Sequence, residues 1–423
     1  MIHVENITAA NMPDMTCNAS QGSVHIDPQG YVKPCCVFAI EGDVIVSKDN
    51  TIKYKFLEGY GNWLLDSNIY YIDTLDDIME SEVWLNYMKN YTHCITCIQE
   101  EIAGIDFTLK DWWNQEINPP RKKIEHLELA LDYTCNMMCR MCGPRQSSKW
   151  NGSDILKQMK TTLEPGDTMY DKNKGSKKYT ERLKWVLGNT NFEDLKTVKL
   201  VGGEPLYSKS LKWFIDMLPN KEKIEITIVT NGSLLPDEEL FKHFKKVKLE
   251  VSVDAIGDVG TTSRMKVPFE TVEKNLRILN ERRKYKPWYH IGVHTTVSLL
   301  NINKLYELAE WCINLGVDQN YGMLHGPKWL RITLLPKEVR QQWIQERRPN
   351  MPTWIENKLI DYLSLDQDEQ PLEVYYFLKG IHQTDTEASI PFKEANPEIY
   401  NIMNNLYEEY KKDFKLKPFH KAP

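Results

Sequence analysis

Between residues 119 and 328, short apolar runs alternate with longer stretches that are apolar on one side only. The runs IEHLELAL (124–131), TVKLVGG (197–203), IEITIVT (224–230), VKLEVSVD (247–254), HIGVHTTV (290–297) and, less regularly, DQNYGML (318–324) have the length and β-branched content of strands. Between them, SLKWFIDML (210–218), DEELFKHF (237–244), FETVEKNLRILNERR (269–283) and INKLYELAEWCINLG (302–316) carry helical periodicity. Strands alternating with helices predict an α/β fold with a parallel sheet, closed or partly closed as a barrel. Functional residues then gather where strands end, at the C-terminal edge of the sheet.

The flanks read differently. Residues 1–118 hold short strand-like pieces, SVHIDPQGYVKPCC (23–36), GDVIVS (42–47) and TIKYKFL (51–57), broken by turn residues. A helical stretch, TLDDIMESEVWLNYMKN (74–90), follows, with Thr74 placed to cap it and Asp76 and Asp77 in its first turn. Residues 329–423 are interrupted by prolines and rich in Trp, Tyr, Glu and Lys, with a helical pattern at 399–414. They read as helical cover for the barrel or as a partner surface. Three regions result: 1–118, 119–328 and 329–423.

Composition narrows the function classes. The 423 residues are 41% hydrophobic and 26% charged, with a formal net charge of −6 and a pI near 6.0. Nothing in that balance draws the whole chain to nucleic acid or to anionic lipid. The basic runs at Lys172–Lys178 and Lys242–Lys248 read as solvated faces. The N-terminus has neither a basic n-region nor an apolar stretch, and no apolar run approaches a bilayer span, so the expected address is the cytoplasm, with no membrane partner.

The nine cysteines are bunched: Cys17, Cys35 and Cys36, then Cys94 and Cys97, then Cys135, Cys139 and Cys142, with Cys312 alone in a helical pattern. In a reducing compartment such bunching points to metal ligands, and Cys312 to a buried, inert thiol. The segment LDYTCNMMCRMCGP follows the first predicted strand of the alternating region. Its spacing lets three thiolates reach three corners of an iron–sulfur cubane and leaves the fourth iron without a local ligand. An open iron can chelate the amino and carboxylate groups of the methionine part of S-adenosylmethionine. Structural zinc and free buried thiols are the competing readings, and zinc would ask for a fourth Cys or His close by.

CxxxCxxC after the first strand of an α/β barrel resembles the radical S-adenosylmethionine (radical SAM) superfamily. The resemblance implies a partial (β/α)6 TIM-like barrel, a [4Fe–4S] cluster on Cys135, Cys139 and Cys142, and reductive cleavage of S-adenosylmethionine to a 5′-deoxyadenosyl radical. It also implies that Gly202, Gly203, Glu204 and Pro205, the GGEP after the second strand, line the site of the methionyl amino group. Thr230, Asn231, Ser252 and Asp254 end the third and fourth strands, with Arg264 shortly after. In similar enzymes such residues contact the ribose and the methionyl carboxylate, whereas Asn231-Gly232 is equally explained as a tight turn. Met141 stands where the family often has an aromatic residue near the adenine. His294 and His325 fall on or after late strands and read first as core histidines.

The N-terminal cysteines resemble the twitch domain, the shortened SPASM module, whose C-x(9–15)-G-x4-C pattern and later cysteine pair hold one auxiliary [4Fe–4S] cluster. That resemblance implies Cys17, Cys35, Cys94 and Cys97 as ligands within an α+β module that here precedes the barrel; structural zinc also fits four thiolates. The substrate class it implies is a peptide or protein side chain, with an external electron donor as partner. A small molecule such as a sugar, aminocyclitol or nucleotide is the alternative, and a non-catalytic iron–sulfur or zinc protein is the reading from another class. No residue is singled out as general base or hydrogen donor.

Overall fold

The computed structural model describes residues 17–27, 30–35, 43–46, 52–55, 69, 72–81, 84, 97, 109–118, 122–144, 146–151, 153, 155, 177–324, 326–345, 357, 360, 363–364 and 371–413. Its strands are β1 Ser23–Ile26, β2 Val32–Lys33, β3 Asp43–Val46, β4 Ile52–Lys55, β5 His126–Ala130, β6 Met138–Cys139, β7 Thr197–Val201, β8 Glu225–Thr230, β9 Lys246–Ser252, β10 Arg264–Met265, β11 Tyr289–Val297 and β12 Asp318–Met323. Eight of them form a mostly parallel sheet in the order β12-β11-β9-β8-β7-β5-β1-β2. β1, β5 and β7 run parallel, as do β11 and β12, while β2 closes the edge antiparallel. All six strand runs read between 119 and 328 are present.

Alternation explains why these runs become strands. In β8 the buried side chains are Ile226, Ile228 and Thr230, and in β9 they are Val247, Leu249 and Val251, each alternating with half-exposed neighbours. One face of each strand is packed and the other is not.

The chain forms two compact units, with β8 and β9 divided between them. One comprises residues 1–133, 171–227 and 238–247. Here β1 pairs with β5, Val24 opposite Leu127 and Ile26 opposite Leu129, so a strand read in the N-terminal flank extends the sheet. The helix Leu75–Glu80 is capped by Thr74, whose hydroxyl accepts from the Asp77 N–H at 3.0 Å, as its sequence predicts. The helix Lys177–Asn189 buries Tyr179, Leu183, Val186 and Leu187. From that helix Arg182 donates to the carbonyls of Ile69 and Ile72 at 2.8 and 2.6 Å. By contrast, the DEELFKHF stretch makes only a short 3-10 turn at Glu238–Leu240.

His126 opens β5 with Nδ1 2.8 Å from Thr197 Oγ1, and its buried Nε2 has no hydrogen-bond partner among the described residues; the ring packs edge-to-face with Trp112 and Trp113. Burial pulls its pKa from 6.5 down to about 4, with Glu125 opposing and Lys196 adding to the shift. The folded ring stays neutral where the unfolded chain takes up a proton. Stability is therefore complete above the unfolded pKa near 6.5 and falls by about 3 kcal/mol in all as pH drops through 4. Urea titrations across that window are expected to show this loss in the wild type and a flatter profile in His126→Leu; identical profiles would contradict it.

The other unit comprises residues 134–170, 228–237 and 248–423. The helix Phe269–Arg283 buries Phe269, Val272, Leu276 and Leu279 and packs on β11. The helix Leu305–Leu315 packs on β12 and ends at Gly316, whose φ of 69° supplies the left-handed turn that closes it. Cys312 on that helix is buried, and burial pushes its thiol up to about 12, as expected of an inert core cysteine.

The C-terminal residues are part of this unit's core. Phe377, Leu378 and Ile381 of the helix Pro371–Asp385, Phe392, and Ile399 and Met403 of the helix Pro397–Asp413 share one apolar cluster with Val297, Leu300, Ile332 and Leu334. Asn396 fastens it with donations to Leu300 O at 3.2 Å and Asn303 Oδ1 at 2.9 Å. Among the described residues, no helix is long and apolar enough to cross a membrane.

Candidate functional site

Residues 131–137 leave β5 as an irregular loop, and Cys135, Cys139 and Cys142 follow on it. Two serines tie the loop down. Ser148 Oγ accepts from the Cys135 N–H at 3.1 Å, and Ser147 Oγ donates to Met137 O at 2.6 Å. Cys139 lies in β6, which pairs with β10 so that Arg264 is directly opposite Cys139 and Met265 opposite Met138. The Cys142 N–H closes a turn on Cys139 O at 3.1 Å.

Donors are aimed at the sulfurs. Cys135 Sγ accepts from the Met137 N–H at 3.4 Å and has Asn231 Nδ2 at 3.7 Å. Arg264 Nη1 is 3.9 Å from Cys139 Sγ. The Cys139 thiol and the Cys142 sulfur share a hydrogen bond, which raises the pKa of Cys139 and lowers that of Cys142; burial pushes both up and Arg264 draws both down.

Arg264 is oriented from behind. Its Nε donates to Asp254 Oδ2 at 2.7 Å, and Asp254 is fully buried. The other carboxylate oxygen of Asp254 accepts from the Thr296 N–H at 2.9 Å, and its backbone carbonyl accepts from Asn301 Nδ2 at 2.8 Å. Burial alone would lower the Arg264 pKa, but Asp254 and then Cys139 outweigh it, so the guanidinium is held above its ordinary value. The Asp254 carboxylate is thus spent on Arg264 and Thr296. Ser252, at the end of β9, is half-buried.

Asn231 follows β8 and is both a turn residue and a contact to the cysteine loop. Its Oδ1 accepts from the Ser233 N–H at 2.9 Å, while Nδ2 donates to Asn136 Oδ1 at 2.9 Å. Thr230 Oγ1 accepts from the Gly232 N–H at 3.2 Å. Gly232, at φ 73°, leaves no room for a β-carbon, which would meet Val251 Cγ1 at 2.6 Å.

In the other unit, Gly202 follows β7 at φ 109°, and a β-carbon there would sit 2.6 Å from Asp132 O. The close approach that requires glycine is to this chain's own backbone, and the Gly203 N–H donates to the same carbonyl at 3.2 Å. Glu204 is buried and accepts from the Leu206 N–H at 3.0 Å, capping the short turn Pro205–Tyr207. Asp132, just after β5, accepts from Ser208 Oγ at 2.6 Å.

The remaining sequence candidates fall as follows. Met141 packs against the apolar cluster that includes the C-terminal helices. His294 lies half-buried on β11, its Nε2 3.2 Å from where a β-carbon on Gly322 would be. Cys17, Cys35 and Cys97 form no disulfide among the described residues, and burial raises the pKa of Cys17. Cys94, Cys36 and His325 lie outside the described residues.

Arg140 is the main feature not read from sequence. Its side chain is fully buried, with Nε donating to Thr262 O at 2.8 Å, Nη2 to Thr262 Oγ1 at 2.8 Å and to Asp385 Oδ1 at 2.5 Å, and Nη1 to Ile381 O at 3.3 Å and to Thr384 Oγ1. A signal was present: one cationic residue inside the apolar run MMCRMC must find partners if it is buried.

Among the described residues, no three His, Cys, Asp or Glu side chains converge on a point where one metal ion would sit. A cubane asks for something else, since each thiolate takes its own iron and the sulfurs need N–H donors around them. Met137 and Asn231 supply such donors to Cys135, and Arg264 supplies one to Cys139.

Residues 132–312 match the family model described as the radical SAM superfamily. Over 204 residues the chain is 25% identical to the GTP 3′,8-cyclase of Aliarcobacter butzleri (strain RM4018), covering 46% of this chain and 54% of that protein. It is 30% identical over 210 residues to the tungsten-containing aldehyde ferredoxin oxidoreductase cofactor-modifying protein of Pyrococcus furiosus, covering 46% and 50%. The chain spans about half the length of these curated relatives. Streptococcus suis SuiB bound to S-adenosylmethionine aligns with 79% of this chain and 68% of its own at 12% identity, with a TM-score of 0.32. The superfamily matched by residues 132–312 is one of enzymes, and its expected cofactors are S-adenosylmethionine and a [4Fe–4S] cluster.

Proposed function

We propose that this chain is a radical SAM enzyme built on a partial (β/α)6 barrel, in which Cys135, Cys139 and Cys142 hold a [4Fe–4S] cluster with one open iron. The observation that carries this reading is the set of N–H donors directed at Cys135 and Cys139 from Met137, Asn231 and Arg264. Bound by Cys135, Cys139 and Cys142, a [4Fe–4S] cluster would supply the electron for reductive cleavage of S-adenosylmethionine, and the 5′-deoxyadenosyl group so released would take a hydrogen atom from the substrate.

The protein's own residues do the binding and orienting. Gly202, Gly203, Glu204 and Pro205 shape a backbone turn with a buried carboxylate suited to the methionyl ammonium. Arg264, with N–H groups beyond those given to Asp254 and Cys139, suits the methionyl carboxylate. Ser252 offers a hydroxyl to the ribose. Thr230, Asn231 and Asp254 act one step back, holding the turn after β8 and the Arg264 side chain. In the N-terminal residues, Cys17, Cys35, Cys94 and Cys97 would hold the auxiliary [4Fe–4S] cluster of a twitch-like module, fully ligated by protein and serving to accept or relay an electron.

The substrate class we favour is a peptide or protein side chain, by resemblance to twitch and SPASM architectures. A small molecule is the second reading, supported by the names of relatives such as the GTP 3′,8-cyclase. Anaerobic reconstitution with iron and sulfide, followed by reduction in the presence of S-adenosylmethionine, is expected to yield 5′-deoxyadenosine. No 5′-deoxyadenosine, with two zinc ions per chain in place of iron, would overturn the reading. Deuterium transfer into 5′-deoxyadenosine from a labelled peptide or from a labelled nucleotide separates the two substrate classes.

A further inference from the structure

Arg140 stands between two of the cysteines yet points away from them, into a buried polar socket. Three elements build that socket. Thr262 comes from the helix Gly257–Ser263 that leads into β10, Ile381, Thr384 and Asp385 come from the end of the helix Pro371–Asp385, and the Phe392 ring lies 5.8 Å from the guanidinium carbon.

The socket is internally braced. Asp385 Oδ1 also accepts from the Phe392 N–H at 2.9 Å, and Thr262 Oγ1 donates to Ile390 O at 2.8 Å. A buried guanidinium is costly unless its donors are matched, and here Nε and both terminal nitrogens have acceptors.

The backbone makes this socket matter for the cysteine loop. The Arg140 N–H donates to Ser263 O at 3.0 Å, extending the β6–β10 pairing by one rung beyond Cys139 opposite Arg264. Fixing Arg140 therefore fixes the ribbon that carries both partners of the Arg264–Cys139 contact.

We propose that Arg140 is a positioning residue for the cluster loop: clasped by Thr262, Thr384 and Asp385, it locks the β6–β10 ribbon and so sets the N–H···S contact between Arg264 and Cys139. The C-terminal helix is thereby part of the cluster-holding machinery. This inference rests on the function proposed above. A donor at a ligating sulfur withdraws charge and favours the reduced cluster, so loosening the clasp makes reduction harder.

The test uses the full-length, reconstituted protein and two charge-neutral variants, so that any change in potential reports geometry. Arg140→Lys keeps the cation but loses the fork, and Thr384→Val removes one acceptor and leaves the ion pair with Asp385. Midpoint potential is read by redox titration followed by EPR, normalised to iron content. We expect Arg140→Lys to shift the cluster's reduction equilibrium about tenfold toward the oxidised form, about 59 mV for one electron, and Thr384→Val to shift it less in the same direction. Met403→Ala, a core truncation in the same C-terminal layer with no bond to Arg140, is expected to lower the melting temperature without moving the potential. Iron-loaded Arg140→Lys and Thr384→Val with the wild-type potential and EPR signature would overturn the inference. A wild type that assembles no reducible cluster would instead overturn the function on which it rests.

Discussion

Alanine in place of Cys139 is expected to take 5′-deoxyadenosine formation down to the level of a protein-free control and to remove the iron assigned to the loop. The thiolate is the ligand, and nothing near it can substitute, because the neighbouring side chains Met138 and Arg140 are buried in other contacts. Losing this cysteine also leaves Arg264 facing a void where its sulfur partner stood. The control is Cys312→Ala. Cys312 is buried on the helix Leu305–Leu315, and burial pushes its thiol up to about 12, so this variant should retain full iron and full cleavage at a modest cost in stability. Equal loss in both variants would mean that the chain is merely sensitive to cysteine removal.

The second large effect falls on Asp254. Removing its carboxylate in Asp254→Ala strips a buried guanidinium of its counter-charge and the Thr296 N–H of its acceptor, at a cost of about 3–5 kcal/mol that is large against the stability of a whole domain. Asp254→Asn is the sharper probe, because it keeps the shape and one acceptor while losing the charge that orients Arg264. Uncoupled cleavage of S-adenosylmethionine is expected to fall about 10- to 100-fold, the usual range for a residue that orients a ligand of a metal site. If product formation fell while uncoupled cleavage stayed at the wild-type rate, Asp254 would serve the substrate instead.

How much of this was legible in the sequence depends on how local the cause is. The six strands from β5 to β12 of the main sheet were, because each is a short apolar run bounded by turns. The helix 269–283 was legible to the residue, from Phe269, Val272, Leu276 and Leu279 at helical spacing. The Lys177–Asn189 helix was passed over because its lysines read as a solvated run, although Tyr179, Leu183 and Val186 already gave it a buried stripe. The stretch 237–244 failed in the opposite direction: Phe241 and Phe244 are buried from a turn, where helical periodicity is not needed.

At the site, cysteine spacing pointed to the loop without help from long-range contacts. What spacing could not show is the second layer. That Asp254 is committed to Arg264 depends on β10 folding back on β6, and that Arg140 is committed to Asp385 depends on a helix 245 positions away in sequence. Gly202 was singled out as lining a ligand site, and what requires glycine there is the approach of Asp132 O. The residue type was informative and the reason for it was tertiary.

The most direct test of the account is the EPR spectrum of the reduced, reconstituted protein with and without S-adenosylmethionine, in the wild type and in a variant with Cys135, Cys139 and Cys142 all replaced by alanine. An open iron on the three-cysteine loop predicts a [4Fe–4S]+ signal component that changes on adding S-adenosylmethionine and disappears with the three cysteines, while the signal of the N-terminal cluster stays and does not respond. A wild-type signal that S-adenosylmethionine leaves wholly unmoved, or an S-adenosylmethionine-sensitive signal that survives loss of all three, would contradict it.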